Sequence, residues 1–125
     1  MRGFRDLRVW QGGMELVESV YLVTQSFPKQ ELYGLTSQLR RAAGSIPANV
    51  AEGHSREHIK EYLNFLSIAQ GSVAEVETEL EIAGRLHYIA PDALGSLMLQ
   101  LGSLGRQIRA LRAALASGTT TRKLC

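Results

Sequence analysis

Residues 59–83 read IKEYLNFLSIAQGSVAEVETELEIA. Ile59, Tyr62, Leu66, Ala69, Val73, Val76, Leu80 and Ala83 recur at alternating steps of three and four. That spacing puts them on one face of an α-helix, because residues three and four apart lie one above the other. Carried outward from Arg56 to about Ile89, the helix would be roughly 50 Å long. Such a length suits an elongated bundle packed at about 20°.

Working back from this helix, Leu35, Leu39, Ala42, Ala43, Ile46 and Val50 predict a second helix over residues 35–51. Gly53 is placed to stop it in a left-handed cap, and Ser55 to cap the long helix that follows, with Glu57 in its first turn. Further upstream, Asp6 is the expected N-cap of a first helix that Pro28 ends. Downstream, Pro91 opens a fourth helix, and Leu94, Leu97, Leu101, Leu104, Ile108, Leu111 and Leu115 supply its seam. Gly95, Gly102 and Gly105 lie within it, which makes it either marginal or able to accept a close neighbour. No stretch shows the period of two of a half-buried strand. The fold class is therefore all-α, an up-down-up-down antiparallel four-helix bundle over residues 1–117, with 118–125 expected to be a disordered tail.

The first helix is apolar too far round. Leu7, Trp10, Met14, Val17, Tyr21 and Thr24 form one line, and Leu16, Val20, Val23 and Phe27 a second beside it. Together they cover more than half the circumference, whereas a lone bundle needs a narrower face. The surplus is expected to be covered by another copy of the chain.

Composition is that of a globular protein, with 45% hydrophobic and 21% charged residues and a net charge of +2. That charge does not announce a nucleic-acid binder, although no acidic residue follows Asp92 while Arg106, Arg109, Arg112, Arg122 and Lys123 do. The single cysteine, Cys125, excludes an intrachain disulfide and accords with a reducing compartment. No signal-peptide h-region and no run of membrane-spanning length occurs, so the expected location is the cytoplasm, with no membrane partner.

The candidate site is the stretch RRAAGSIPANVAEGHSR at 40–56. Pro47 deprives the second helix of the bond to the carbonyl of Ala43, and Ser45 and Asn49 can engage the disturbed backbone. Arg41, Ser45 and Asn49 line one face, with Arg40 and Glu52 on the next and Gly44 and Ala48 leaving room between. This is the pattern of a kinked helix that another element approaches closely. Arg40, Arg41 and Arg56 could instead grip phosphate, as could Arg106, Arg109 and Arg112. No glycine-rich phosphate loop, Walker pattern or interleaved aromatics supports that. His54 and His58 lack a third ligand for a metal, and His87 reads as a boundary residue of the long helix. Glu75, Glu77, Glu79 and Glu81 read as solvated. No nucleophile with an adjacent base is present, so neither an enzyme nor a cofactor is expected.

FRDLRVWQ at 4–11, SFPKQELYGLTSQLRRAAGSIPANVAEGHSR at 26–56 and EYLNFLSIAQGSVAEVETELEIA at 61–83 resemble a bacterial family of four-helix-bundle proteins. Its founding members are encoded by intervening sequences in large-subunit ribosomal RNA genes. The resemblance implies a ring-like homo-oligomer, typically a pentamer, without enzymatic activity. It implies that Arg40, Arg41, Ser45, Pro47, Asn49, Glu52, Gly53 and Arg56 form an architectural joint at the subunit contact. A more distant relative, the accessory protein of diversity-generating retroelements, is strongly basic and engages nucleic acid. RNA or DNA is therefore a second expected partner class, beside self and another protein.

Overall fold

The computed structural model describes residues 3–118, and the expected tail from 119 onward lies outside them. Four helices carry the chain: α1 (Arg8–Thr24), α2 (Leu35–His54), α3 (Ile59–Arg85) and α4 (Pro91–Ala116). Short 3-10 turns at Phe4–Asp6 and Lys29–Glu31 precede α1 and α2, and the described residues contain no strand. Each helix packs on its neighbours in the chain, α4 closes back onto α1, and the diagonal pairs stay apart. Neighbours run antiparallel. Gly13 of α1 meets Pro47 of α2 while Thr24 meets Arg40, and Ser45 of α2 meets Ser72 of α3 while Gly53 meets Phe65.

The core follows the lines expected for α2, α3 and α4 except at the starts of α3 and α4, where Ile59 is 40% exposed and Leu94 half-buried. Leu39, Ala43, Ile46 and Val50 are fully enclosed, as are Leu66, Ala69, Val76, Leu80 and Ala83 across from them and Ile108 on α4. Each large aliphatic among them contributes about 1.5–3 kcal/mol by leaving water. Of the two lines on α1, the bundle takes Leu16 and Val20, with Val9, Gly13 and Thr24 completing the buried side. Of the other line, Leu7 is buried and Trp10 and Val17 pack half-buried against the core, so only Met14 and Tyr21 turn outward, 41% and 46% exposed.

Several helix ends differ from expectation. Leu7, in extended backbone, occupies the N-cap position of α1, and no side chain caps it, so Asp6 does not fill that role. α2 continues through Gly53 to His54, and Gly53 is helical rather than left-handed. α3 starts at Ile59 after His58, which makes it 27 residues and about 40 Å long. The Ser55 hydroxyl donates back to the Ala51 carbonyl at 2.9 Å instead of capping α3. His87 is exposed and takes a left-handed φ of 62° just past α3. Its amide donates to Gly84 O and the Tyr88 amide to Ala83 O, the paired bonds of a Schellman cap.

The two loops at this end are tied together. Glu31 accepts from the Leu35 amide through Oε1 at 3.1 Å and from the Tyr88 hydroxyl through Oε2 at 2.9 Å. The Phe27 and Tyr88 rings pack at 5.7 Å beneath that bond.

Candidate functional site

The stretch around Pro47 is spent largely on contacts within the chain. The Pro47 ring is buried against α1, where a Cβ on Gly13 would lie 3.3 Å from its carbons. The glycine is what lets α1 come so near a helix that carries a proline. On the other side of α2, the Ser45 hydroxyl donates to Ala42 O at 2.8 Å and shares a 2.6 Å hydrogen bond with the Ser72 hydroxyl of α3. Asn49 Nδ2 donates to Ser45 O at 2.7 Å. Both bonds go to carbonyls on either side of Ala43 and not to the Ala43 carbonyl that Pro47 deprives of its amide, so neither side chain replaces the lost bond. One turn on, a Cβ at Gly53 would sit 2.8 Å from Phe65 Cβ and 3.0 Å from Tyr62 Cδ1. α2 and α3 approach closely here, and glycine leaves the room.

The arginines scatter. Arg40 reaches toward α1, where its Nε donates to Thr24 Oγ1 at 2.9 Å and its guanidinium lies 4.6 Å over the Tyr21 ring. Thr24 passes its own proton to Val20 O at 2.7 Å. Arg41 leaves the opposite flank of α2, toward α3 and Glu79. Arg56 pairs with Glu52 at 2.7 Å and lies over the Phe65 ring at 4.9 Å. Arg112 donates to Gln70 Oε1, and Gln70 in turn donates to Gly105 O at 3.3 Å, which joins α3 to α4. Arg106 and Arg109 are exposed on α4. Arg40, Arg41 and Arg56 therefore leave α2 and its end in different directions, whereas Arg106, Arg109 and Arg112 follow at steps of three along α4.

Glu79 is not solvated. It is 8% exposed, and its Oε1 has no hydrogen-bond partner among the described residues. Burial raises its pKa above the usual carboxylate value, and the neighbouring Glu75 charge adds to the rise, while Arg41 opposes it. A run of four glutamates at alternate positions gives no sign that one of them faces inward. Its angular position beside the buried Val76 and Leu80 would have done so. Burial lowers the pKa of His54, whose ring stands edge-on to Tyr62 at 5.8 Å, whereas His58 is exposed at the start of α3. No cluster of three metal-ligating side chains forms among the described residues, and none of their helices is long and apolar enough to cross a membrane.

One outward surface stands apart in character. The Trp10, Met14, Val17 and Tyr21 line of α1 borders the outer side of α2, where Gly44, Ala48 and Ala51 follow at helical spacing. A Cβ on Gly44 would meet nothing within 4 Å, and a shallow depression lined by Ala48, Ala51, Glu52, Ser55 and Arg56 continues the surface downward. The width of the apolar face on α1 foretold this surface. The part played by the small residues of α2 appears only when the two helices stand side by side.

Comparison with known proteins bears on what such a bundle is. A solved structure from Bacteroides thetaiotaomicron, described as a protein of unknown function from the S23 ribosomal protein family, superposes with a TM-score of 0.76. It shares 24% identity, with 84% of this chain and 95% of that one covered, and so supports the fold alone. No curated protein matches the chain. The family model of the 23S rRNA-intervening sequence protein matches residues 5–110, which spans all but the last turns of the bundle, and the chain belongs to that family.

Proposed function

We propose that this protein is a non-enzymatic, homo-oligomeric scaffold that associates through the outward face of α1 and α2. The observation that carries the reading is the exposed pair Met14 and Tyr21, with the half-buried Trp10 and Val17 between and beside them, next to the small residues of α2. Apolar side chains scattered singly on a surface need no explanation, but a contiguous stripe on one helix does. Full burial of a large side chain is worth about 1.5–3 kcal/mol, so covering the exposed half of this stripe contributes a few kcal/mol per contact. Gly44, Ala48 and Ala51 let a second backbone approach closely, which adds dispersion contacts that bulkier residues would prevent. The resemblance to the intervening-sequence family supports a closed ring and sets its expected size at five chains.

Nothing favours a nucleic-acid surface on the single chain over this one. Arg56 and Arg112 are engaged by their own chain through their terminal nitrogens, Arg40 through Nε, and the three point to different sides.

The test is the mass of the purified chain in solution, across a salt series and with or without bulk bacterial RNA. The expected result is an assembly several times the 13.7 kDa chain, unaffected by RNA. Met14→Glu should reduce it to single chains with unchanged helix content. A wild-type protein that sediments as a monomer would sink the scaffold reading. An RNA complex that dissolves as salt rises would transfer attention to the arginines.

A further inference from the structure

The scaffold reading leaves open what the α1–α2 face meets, and α3 supplies an answer that rests on that reading. Besides its buried side, α3 carries a second line in which Ile68, Glu75 and Ile82 follow at steps of seven and Leu86 one turn later. Residues so spaced share a helix face. Ile68, Ile82 and Leu86 are 45%, 42% and 49% exposed, although α3 already buries Leu66, Val73, Val76 and Leu80 elsewhere. Among the described residues Glu75 makes no ion pair.

We propose that this stripe of α3 packs into the α1–α2 face of a second copy of the chain. The two faces are unlike, so each copy offers one to the neighbour on its left and the other to the neighbour on its right.

Shape, charge and register each support the pairing. The stripe carries branched side chains, and the opposite face has a shallow groove at Ala48 and Ala51 that continues past the open position of Gly44. Glu75 is an unpaired anion in the middle of the ridge. Arg40 is a cation at the edge of the groove, fixed there by Thr24 and the Tyr21 ring through Nε alone, with its terminal nitrogens unused. Within one chain Ser45 stands level with Ser72, and Gly53 with Phe65, because α2 descends as α3 climbs. Two copies side by side and the same way up therefore bring Ile68 between the levels of Ala48 and Ala51 and Glu75 between the levels of Arg40 and Gly44. Ile82 and Leu86 then reach the start of α2 and the 48% exposed Leu32.

The pairing of unlike faces is tested by mixing two broken copies. Ala48→Glu blocks the groove and Ile68→Glu blocks the ridge, and both positions are exposed, so each variant should keep the helix content and melting behaviour of a folded chain. Sedimentation velocity should find each variant alone at 13.7 kDa and the equimolar mixture at twice that mass, one intact groove holding one intact ridge. If Ile68→Glu assembles like the wild type while Ala48→Glu does not, association is real but the ridge is not its counterpart. A mixture that stays monomeric likewise overturns the pairing. A wild-type chain that is itself monomeric removes the scaffold reading and this inference together.

Discussion

Replacing Gly53 with alanine sets two effects of opposite sign against each other, and the geometry decides between them. Alanine is the better helix former by about 1 kcal/mol at an interior position. Against that, its Cβ would stand 2.8 Å from Phe65 Cβ, 3.0 Å from Tyr62 Cδ1 and 3.3 Å from the Tyr62 carbonyl oxygen. Carbon atoms rest at about 3.5–4.0 Å, so the first contact must open by roughly 1 Å. A Cβ is fixed to its backbone, and no rotamer change in Phe65 moves it away. The two helices must part instead, next to the short connection of residues 55–58 that holds them together. Overpacking of this kind costs about 1–3 kcal/mol. The net expectation is a loss of about 1 kcal/mol, or a melting temperature about 3–6 °C lower for a domain of this size. Gly95→Ala is the control, because a Cβ there meets nothing within 4 Å and should raise stability instead. Thermal and urea melts at one fixed protein concentration measure both, since self-association would make the midpoint concentration-dependent. Asparagine separates close packing from a left-handed cap: a cap tolerates it, whereas this contact should reject it more strongly than alanine. A Gly53→Ala protein at least as stable as wild type would refute the close approach of α2 and α3 at this point.

Three further substitutions probe the same framework. Glu79 has its folded pKa raised above 4.5, so the stability it gains from protonation is complete below that pH and is lost as pH rises through the folded value. Glu79→Gln should therefore flatten the decline in melting temperature from pH 4.5 toward neutrality, and an unchanged profile would show that the carboxyl is solvated. His87→Gly relieves a left-handed residue with a side chain and should stabilise by up to about 1 kcal/mol in a urea melt; a loss would mean the imidazole makes a contact of its own. Tyr88→Phe removes the hydroxyl that bonds Glu31 across the two loops and should cost about 0.5–1.5 kcal/mol, with no effect expected if the loops are held by Phe27 alone.

What could be read in advance divides along a physical line. The buried faces of α2, α3 and α4 were legible because apolar spacing at three and four residues reports directly which side of a helix leaves water. Helix ends were not, because the residue types that cap helices also serve inside them. Ser55 returns its proton to Ala51, as Ser45 does to Ala42, and Gly53 is small for packing rather than for a left-handed turn. On α1 spacing alone could not rank two adjacent apolar lines. Gly13 held the missing information, since a glycine on the side that faces Pro47 marks where two backbones meet. The candidate site follows the same rule. The motif residues were found by their types, but their partners depend on the register between helices, and Thr24, Ser72 and Phe65 belong to other segments. Glu79 sits among three other acids that solvent can reach, so its burial is set by its angle on α3 rather than by its chemistry. The same geometry accounts for the outward surface. α1 must spend one apolar line on its own bundle, and the bundle chooses the line that carries Gly13. Met14 and Tyr21, which it leaves outside, then lie beside the small residues of α2. A surface made this way is as fixed by the sequence as the core is, and the proposed self-association rests on it.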